Sequence, residues 1–266
     1  MSPDTPQGLA IVGPGLIGTS VALAARRRWP DLQIKTINKG ESLSAIGNAL
    51  VVVLAAPVNA ILDIIPNLPL VISPQALVID TGSTKHAIMN AAGAAKIKHF
   101  VGGHPMAGGT SVADARPELF DGRPWFLTNP ESPDAVRRAA TFVESLGAKA
   151  VVLSDHGEEH DRLMAAVSHL PQVTATMLMT VVARAVGDDH LQWAGSGLRD
   201  TTRLASSPAA MWQSVLGSNS HELKPLIKLL ASELAAFADR LEDPEAVRKL
   251  FDEANRAKGL VSKING

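Results

Sequence analysis

Gly13-Pro14-Gly15-Leu16-Ile17-Gly18 is a G-x-G-x-x-G run set between the apolar stretch Leu9–Val12 and a helix-forming stretch, Thr19–Arg28. Strand, glycine turn and helix in that order are what a dinucleotide cofactor needs. Gly13 permits a tight turn, Gly15 lets a pyrophosphate approach the backbone, and Gly18 lets helix and strand close up. The phosphates then rest on the unpaired amides at the helix start, around Leu16, Ile17 and Gly18. About twenty positions on, where a carboxylate would hold the ribose of NAD, the chain reads Ile37-Asn38-Lys39-Gly40. Asn38 and Lys39 are the candidates on the adenosine side. With no carboxylate there and a lysine ready for a 2′-phosphate, NADP is favoured over NAD, although Asn38 or Glu41 could also hold a ribose.

Further polar clusters stand at strand ends and helix starts. Asp80-Thr81-Gly82-Ser83-Thr84-Lys85 follows the apolar run Leu77–Ile79, and Gly102-Gly103-His104-Pro105-Met106-Ala107-Gly108 follows His99–Val101. Ligands of open α/β sheets bind outside the C-terminal strand ends, so both clusters face the nicotinamide end of such a site. In the second half, Ser168-His169-Leu170-Pro171-Gln172 sits where Pro171 should kink a helix, and Ser196-Gly197-Leu198-Arg199-Asp200-Thr201-Thr202-Arg203 makes a polar turn. Other patterns do not hold. His156 and His160 bracket glutamates at the wrong places for H-E-x-x-H, so no zinc site is expected, and Gly195-Ser196-Gly197 is not a nucleophile elbow. The arginines Arg26–Arg28 close a helix and complement its dipole.

The elements that position these groups divide the chain. Up to about Leu153, short apolar runs (Leu9–Val12, Ile34–Ile37, Val51–Ala55, Leu77–Ile79, His99–Gly102, Trp125–Leu127, Ala150–Leu153) alternate with helix-length stretches. That alternation predicts βαβ units and a mostly parallel, Rossmann-type sheet over 1–153. Glu41–Asn48 is too short for the usual helix and third strand, so the adenosine edge is truncated. Beyond Ser154 the pattern is helical: Glu158 to about Val186, His221–Leu241, and Pro244–Lys258 with Asp243 as N-cap. An all-helical domain over 154–266 is expected. Its long helix, rich in Ala and Met, carries more apolar surface than so small a domain can bury, which predicts pairing with a second copy of the chain.

Composition narrows the class. Twenty-five Lys and Arg against 26 Asp and Glu give no basic face for nucleic acid. The chain has no Cys, which removes disulfides and thiolate chemistry. Met1–Gln7 lacks the basic start of a targeting peptide, and no run of ~18 uninterrupted apolar residues marks a membrane span. A cytoplasmic protein acting on a small molecule is expected.

The motifs G-x-G-L-I-G-x-S, D-x-x-S-x-K, G-G-H-P-M-A-G, S-H-L-P and S-G-x-R-D-x-T-R, in this order from about Leu9 to Asn219, resemble the prephenate/arogenate dehydrogenase family. The resemblance implies a Rossmann domain followed by a helical dimerisation domain, and oxidative decarboxylation of a cyclohexadienol: hydride leaves C4 for NAD or NADP, CO2 leaves C1, and the ring aromatises. His104, of the residue type that titrates nearest neutrality, suits the acceptor of the 4-hydroxyl proton. Ser83 matches the family serine that bonds the hydroxyl and orients the histidine, and it could also cap the helix that follows. Arg203 matches the arginine that binds substrate carboxylate, a bidentate task suited to guanidinium. Arg199 either helps or pairs with a carboxylate such as Asp200. Trp212 resembles an aromatic residue of the pocket, with core packing as the alternative, and His169 reads as a buried supporting residue. Many members read S-H-L-P-H, the second histidine helping to bind substrate. Here Gln172 stands there, so carboxylate binding leans on Arg203. No extra carboxylate awaits the ammonium of arogenate, which favours prephenate, with arogenate or dual specificity as alternatives. A fused mutase or an appended regulatory domain is not expected.

Overall fold

In β1 (Leu9–Val12), β3 (Val51–Leu54) and β4 (Leu77–Asp80) every residue is buried, as in parallel strands covered on both sides. The computed structural model describes residues 6–109 and 111–262, so the expectation for Met1–Gln7 lies, but for its last two residues, outside the described chain. Leu9, Ile11, Val51, Val53, Leu77 and Ile79 share one core, where α1 (Leu16–Arg28) and α4 (Pro133–Ser145) supply Val21, Ala25, Ala139 and Phe142. The alternate residues Ala10, Val12, Val52, Leu54 and Val78 form the other, beneath α2 (Val58–Ile64) and α3 (His86–Ala94). The period of two along each strand thus sorts one apolar run into two cores.

With β2 (Ile34–Ile37), β5 (Phe100–Pro105), β6 (Pro124–Thr128) and β7 (Lys149–Leu153), the sheet has seven strands in the order β2-β1-β3-β4-β5-β6-β7. β1 to β5 run parallel, β6 runs antiparallel to β5, and β7 parallel to β6. The expected mostly parallel, Rossmann-type sheet is present. A 3-10 turn at Leu43–Ile46 is all that links β2 to β3, which leaves β2 as an edge.

One element differs in a way that matters. The glycine cluster after Val101, where the expected run stops at Gly102, lies within a strand. β5 continues through it to Pro105, pairing Gly103 with Leu127 and His104 with Phe126 on β6. Gly103 serves close approach: a Cβ there would stand 2.4 Å from the Asp80 carbonyl oxygen. His104 therefore rides on a strand, which fixes it more tightly than a loop would.

Beyond β7, α5 (Glu158–Met164) passes into a π-helical segment at Ala165–His169 and then α6 (Leu170–Val186). The irregularity expected at Pro171 falls in the turn before it. Pro171 lacks the N–H that would bond back into that turn, and the wider turn absorbs the mismatch. This stretch of 29 residues is long and apolar enough to cross a membrane by length and hydropathy. It nonetheless carries His160, Asp161, His169 and Gln172, each buried and hydrogen-bonded within the fold. A 3-10 turn at Asp188–Trp193, α7 (Ser196–Thr201), a second turn at Arg203–Ser206 and α8 (Ala209–Ser218) follow. Outward-facing Val167, Met177 and Val181 are each more than half exposed.

The chain divides into two compact units, one reaching Ser220 and one from His221 onward. The second consists of α9 (Ser220–Ala238) and α10 (Pro244–Ser262). Asp243 caps α10 as expected, its Oδ1 accepting from the Glu245 and Ala246 N–H groups at 3.0 and 3.3 Å. Leu229, Leu234 and Phe251 are exposed on these helices.

Candidate active site

The glycine turn has the shape of a phosphate cradle. A Cβ on Gly18 would lie 2.3 Å from the Gly13 carbonyl oxygen, so helix and strand touch there, whereas a Cβ on Gly15 would meet nothing within 4 Å. Open space thus faces Gly15, which is the N-cap of α1, and the first-turn amides of Leu16, Ile17 and Gly18 lack helical partners. These residues fit a dinucleotide pyrophosphate. On the adenosine side, Asn38 and Lys39 are exposed at the end of β2. Glu41 turns back onto them: its carboxylate accepts from the Asn38 backbone N–H at 2.7 Å and from Asn38 Nδ2 at 3.2 Å. A carboxylate thus lies against Asn38 at the strand end, three residues on in the chain.

Two strands along from β1, at the end of β4, a buried carboxylate organises the loop after β4 and the end of β5. Asp80, at the end of β4, is fully buried, as is Lys85, whose ammonium bonds Asp80 Oδ2. Oδ2 also accepts from Gly82 N–H at 2.7 Å, and Oδ1 from Gly103 N–H at 3.0 Å. Gly82 precedes Ser83 and Gly103 precedes His104, so one carboxylate brings the two predicted catalytic residues together. Burial lowers the Lys85 ammonium's pKa against the pull of Asp80. Ser83 is half-buried, and no side-chain cap joins it to α3, whose N-cap is Lys85.

His104 heads a chain of bonds that the sequence did not reveal. Its Nδ1 lies 2.9 Å from His160 Nε2, and His160 Nδ1 lies 2.8 Å from Asp161 Oδ1. Asp161 also accepts from the backbone N–H groups of Lys85 at 2.7 Å and His86 at 3.0 Å. Burial raises its pKa, but these bonds outweigh burial and hold it below the usual carboxylate range. An ionised carboxylate only accepts, so His160 carries its proton on Nδ1 and presents a bare Nε2. His104 must then donate from Nδ1, which leaves its own Nε2 lone pair free. Burial, then the neighbouring His160, Lys85 and His169, push the His104 pKa well below its ordinary value, so it is neutral at physiological pH. Burial also lowers His160, against the opposing bond to Asp161. A neutral imidazole with one fixed tautomer is a general base set in advance.

The helical residues continue this network. Asn219 Nδ2 donates to the Asp161 carbonyl oxygen at 2.7 Å and reaches His169 Nδ1 at 3.2 Å. The His169 ring meets Trp212 edge-on, with centroids 5.9 Å apart, and burial lowers the His169 pKa to about 4. Trp212 is half-buried. Gln172 is 5% exposed and bonded to the turn that carries Arg203. Arg203 and Arg199 are both exposed, and among the described residues no ion pair is formed by either, Asp200 included. No group of three metal-ligating side chains occurs among the described residues. His160 drew attention only as half of a rejected zinc pattern, and Asp161 and Asn219 not at all, because only the fold joins His160 to His104 and brings the other two into the same network. The sole local signal was a His-Asp pair at the start of a helix.

Two family profiles match the chain: "Prephenate dehydrogenase, nucleotide-binding domain" over residues 15–152 and "Prephenate dehydrogenase, dimerization domain" over 156–253. The prephenate dehydrogenase of Lactococcus lactis is 28% identical over 94% of this chain and 76% of its own length. That of Bacillus subtilis is 31% identical over 81% of this chain, which spans 65% of the Bacillus protein. The crystal structure of prephenate dehydrogenase from A. aeolicus, in complex with hydroxyphenyl propionate and NAD+, is 24% identical and shares the fold, with a TM-score of 0.86 over 96% of this chain and 98% of that one. With the ordered motifs, the cradle and the His104 line, these matches place the chain in the prephenate dehydrogenase family.

Proposed function

We propose that this protein oxidises and decarboxylates prephenate to 4-hydroxyphenylpyruvate. The observation that carries this is the line from Asp161 through His160 to His104, which leaves His104 Nε2 as a free acceptor beside the strand ends. When bound, the nicotinamide supplies the hydride acceptor. His104 Nε2 takes the 4-hydroxyl proton as the C4–O bond gains double-bond character, and Ser83 hydrogen-bonds the same oxygen. Loss of CO2 from C1 returns its electron pair to the ring, and aromatisation drives the step. Arg203, exposed and unpaired among the described residues, holds a substrate carboxylate in two-pronged fashion. Arg199 on α7 assists it, and Trp212 flanks the ring.

For the cofactor, Glu41 alters the expectation drawn from Lys39. A carboxylate fixed by Asn38 at the end of β2 suits the ribose hydroxyls of NAD and repels a 2′-phosphate, so NAD is favoured over NADP. We place the boundary between nucleotide and substrate domains at Leu153–Ser154, beside the junction of the two matched profiles. A homodimer formed through the helical domain is supported by the exposed apolar residues of α6 and, separately, of α9 and α10, and a cytoplasmic location by the likeness to the bacterial prephenate dehydrogenases.

The test is formation of reduced cofactor in the near ultraviolet, with prephenate and arogenate each offered NAD and NADP. Turnover of prephenate with NAD is expected. Turnover of arogenate alone would keep the mechanism and change the substrate. NADP working at least as well as NAD would remove Glu41 from the adenosine site. No turnover of either substrate would refute the proposal.

A further inference from the structure

The motif residue Gln172 stands where many members of the family carry a second histidine, yet both its amide N–H groups are already taken within the fold. Its Nε2 donates to the Leu204 carbonyl oxygen at 2.8 Å and to Thr176 Oγ1 at 3.4 Å, and its Oε1 accepts from Ser207 Oγ at 3.3 Å. A carbonyl oxygen only accepts, so the NH2 end must be the one that faces Leu204. Leu204 and Ser207 are themselves joined by a backbone bond of 3.1 Å across the end of the turn Arg203–Ser206. At the front of the turn, Thr202 is anchored to the Leu198 carbonyl oxygen through its hydroxyl at 2.7 Å. Gln172 therefore ties the back of this turn to α6, while Arg203 at its front stays exposed.

We infer that Gln172 is a positioning residue: it fixes the Arg203 turn against α6 and so sets the aim of the guanidinium, without touching substrate. This rests on the assignment of Arg203 to the substrate carboxylate. A neutral amide suits the task because it donates to a carbonyl and accepts from a hydroxyl at once, which protonated histidine cannot do.

The experiment measures KM, kcat and cofactor dissociation constant for Gln172→Ala, Arg203→Ala and the double variant. Gln172→Met, which keeps the length of the side chain, serves if the alanine variant does not fold. Gln172→Ala is expected to raise KM for prephenate about tenfold, the loss expected for one buried hydrogen bond. Its kcat should stay within about threefold and its cofactor affinity unchanged. In the Arg203→Ala background the same substitution should add nothing, since both act through one contact. A merely structural role would lower thermal stability and leave KM alone, and that result overturns the inference. Additive losses in the double variant would mean that Gln172 meets substrate itself, again overturning it while Arg203 keeps its role. An unchanged KM in Arg203→Ala alone would remove both assignments.

Discussion

Replacing His160 by phenylalanine removes the Nε2 lone pair 2.9 Å from His104 Nδ1 and, with it, the Nδ1–H that Asp161 accepts at 2.8 Å, although Asp161 keeps the Lys85 and His86 backbone N–H groups. The site is already aromatic, with Phe126 edge-on to the His160 ring at 5.7 Å between centroids, so the new ring fits. His104 then faces two choices. It keeps its proton on Nδ1, buried without an acceptor, at a cost of roughly 1–3 kcal/mol. Otherwise it moves the proton to Nε2 and ceases to be a base. Either way the competent form is disfavoured by that free energy, and at about 1.4 kcal/mol per tenfold kcat should fall roughly 10- to 100-fold. Complete loss of the base, as in His104→Ala, should cost more, about 10²–10⁴-fold. Steady-state rates with prephenate, together with cofactor affinity by fluorescence quenching, read the effect. Affinity for cofactor should hold within about twofold, because the cradle lies at the other end of the site. A folded His160→Phe enzyme with wild-type kcat would show that the tautomer of His104 is not set by His160.

Three other outcomes are expected. Gly15→Ala should fold normally and lose cofactor affinity, since its methyl enters open space where phosphate would lie. Gly18→Ala, whose Cβ would sit 2.3 Å from the Gly13 carbonyl oxygen, should instead lower the melting temperature; reversed results would refute the cradle. His169 is buried and lowered from 6.5 to about 4. Between those values the unfolded chain binds a proton that the native chain refuses, so stability is whole above about pH 6.5 and falls as pH drops towards 4, by on the order of 3 kcal/mol. Denaturant midpoints should show this slope, and His169→Phe should reduce it, the remainder coming from His104 and His160, which burial also lowers. Because the His104 pKa is pushed well below 6.5, kcat/KM should stay level as pH falls through 6.5 and decline only further down. A half-maximal point at or above 6.5, in enzyme shown to recover at pH 7.5, would contradict the buried neutral base.

The Rossmann unit was legible because its signals are local: an apolar strand, glycines at fixed spacing and a helix start. The β2 edge followed from counting residues between two strands. His104 was found as a motif, but its placement on a strand was not, because the run His99–Gly102 ends two residues short of it and nothing local shows that Gly103 lets β5 pass the Asp80 carbonyl. His160 is legible in the sequence only as half of a rejected zinc pattern, and Asp161 not at all, because the imidazole's partner lies 56 residues away and both roles exist only as contacts. Gln172 looked like a weakened substrate ligand for the same reason, since nothing in S-H-L-P-Q shows that Leu204 and Ser207 will consume its amide.

The π-helical turn Ala165–His169 gives this enzyme a phase setting. It stands between the residues that hold the base, on α5, and the residue that holds the arginine turn, on α6. Removing one residue from the turn would restore a regular helix, keep every motif and shorten nothing else. It would also leave α6 nearly in phase with α5, because the five residues of the wide turn cover about the angle of four in a regular helix. Tightening the turn with every residue kept is what would rotate α6 by about 100°, swinging Gln172 away from Leu204 while His160 stayed beside His104. The base and the arginine turn are therefore kept in step by one wide turn that houses an extra residue.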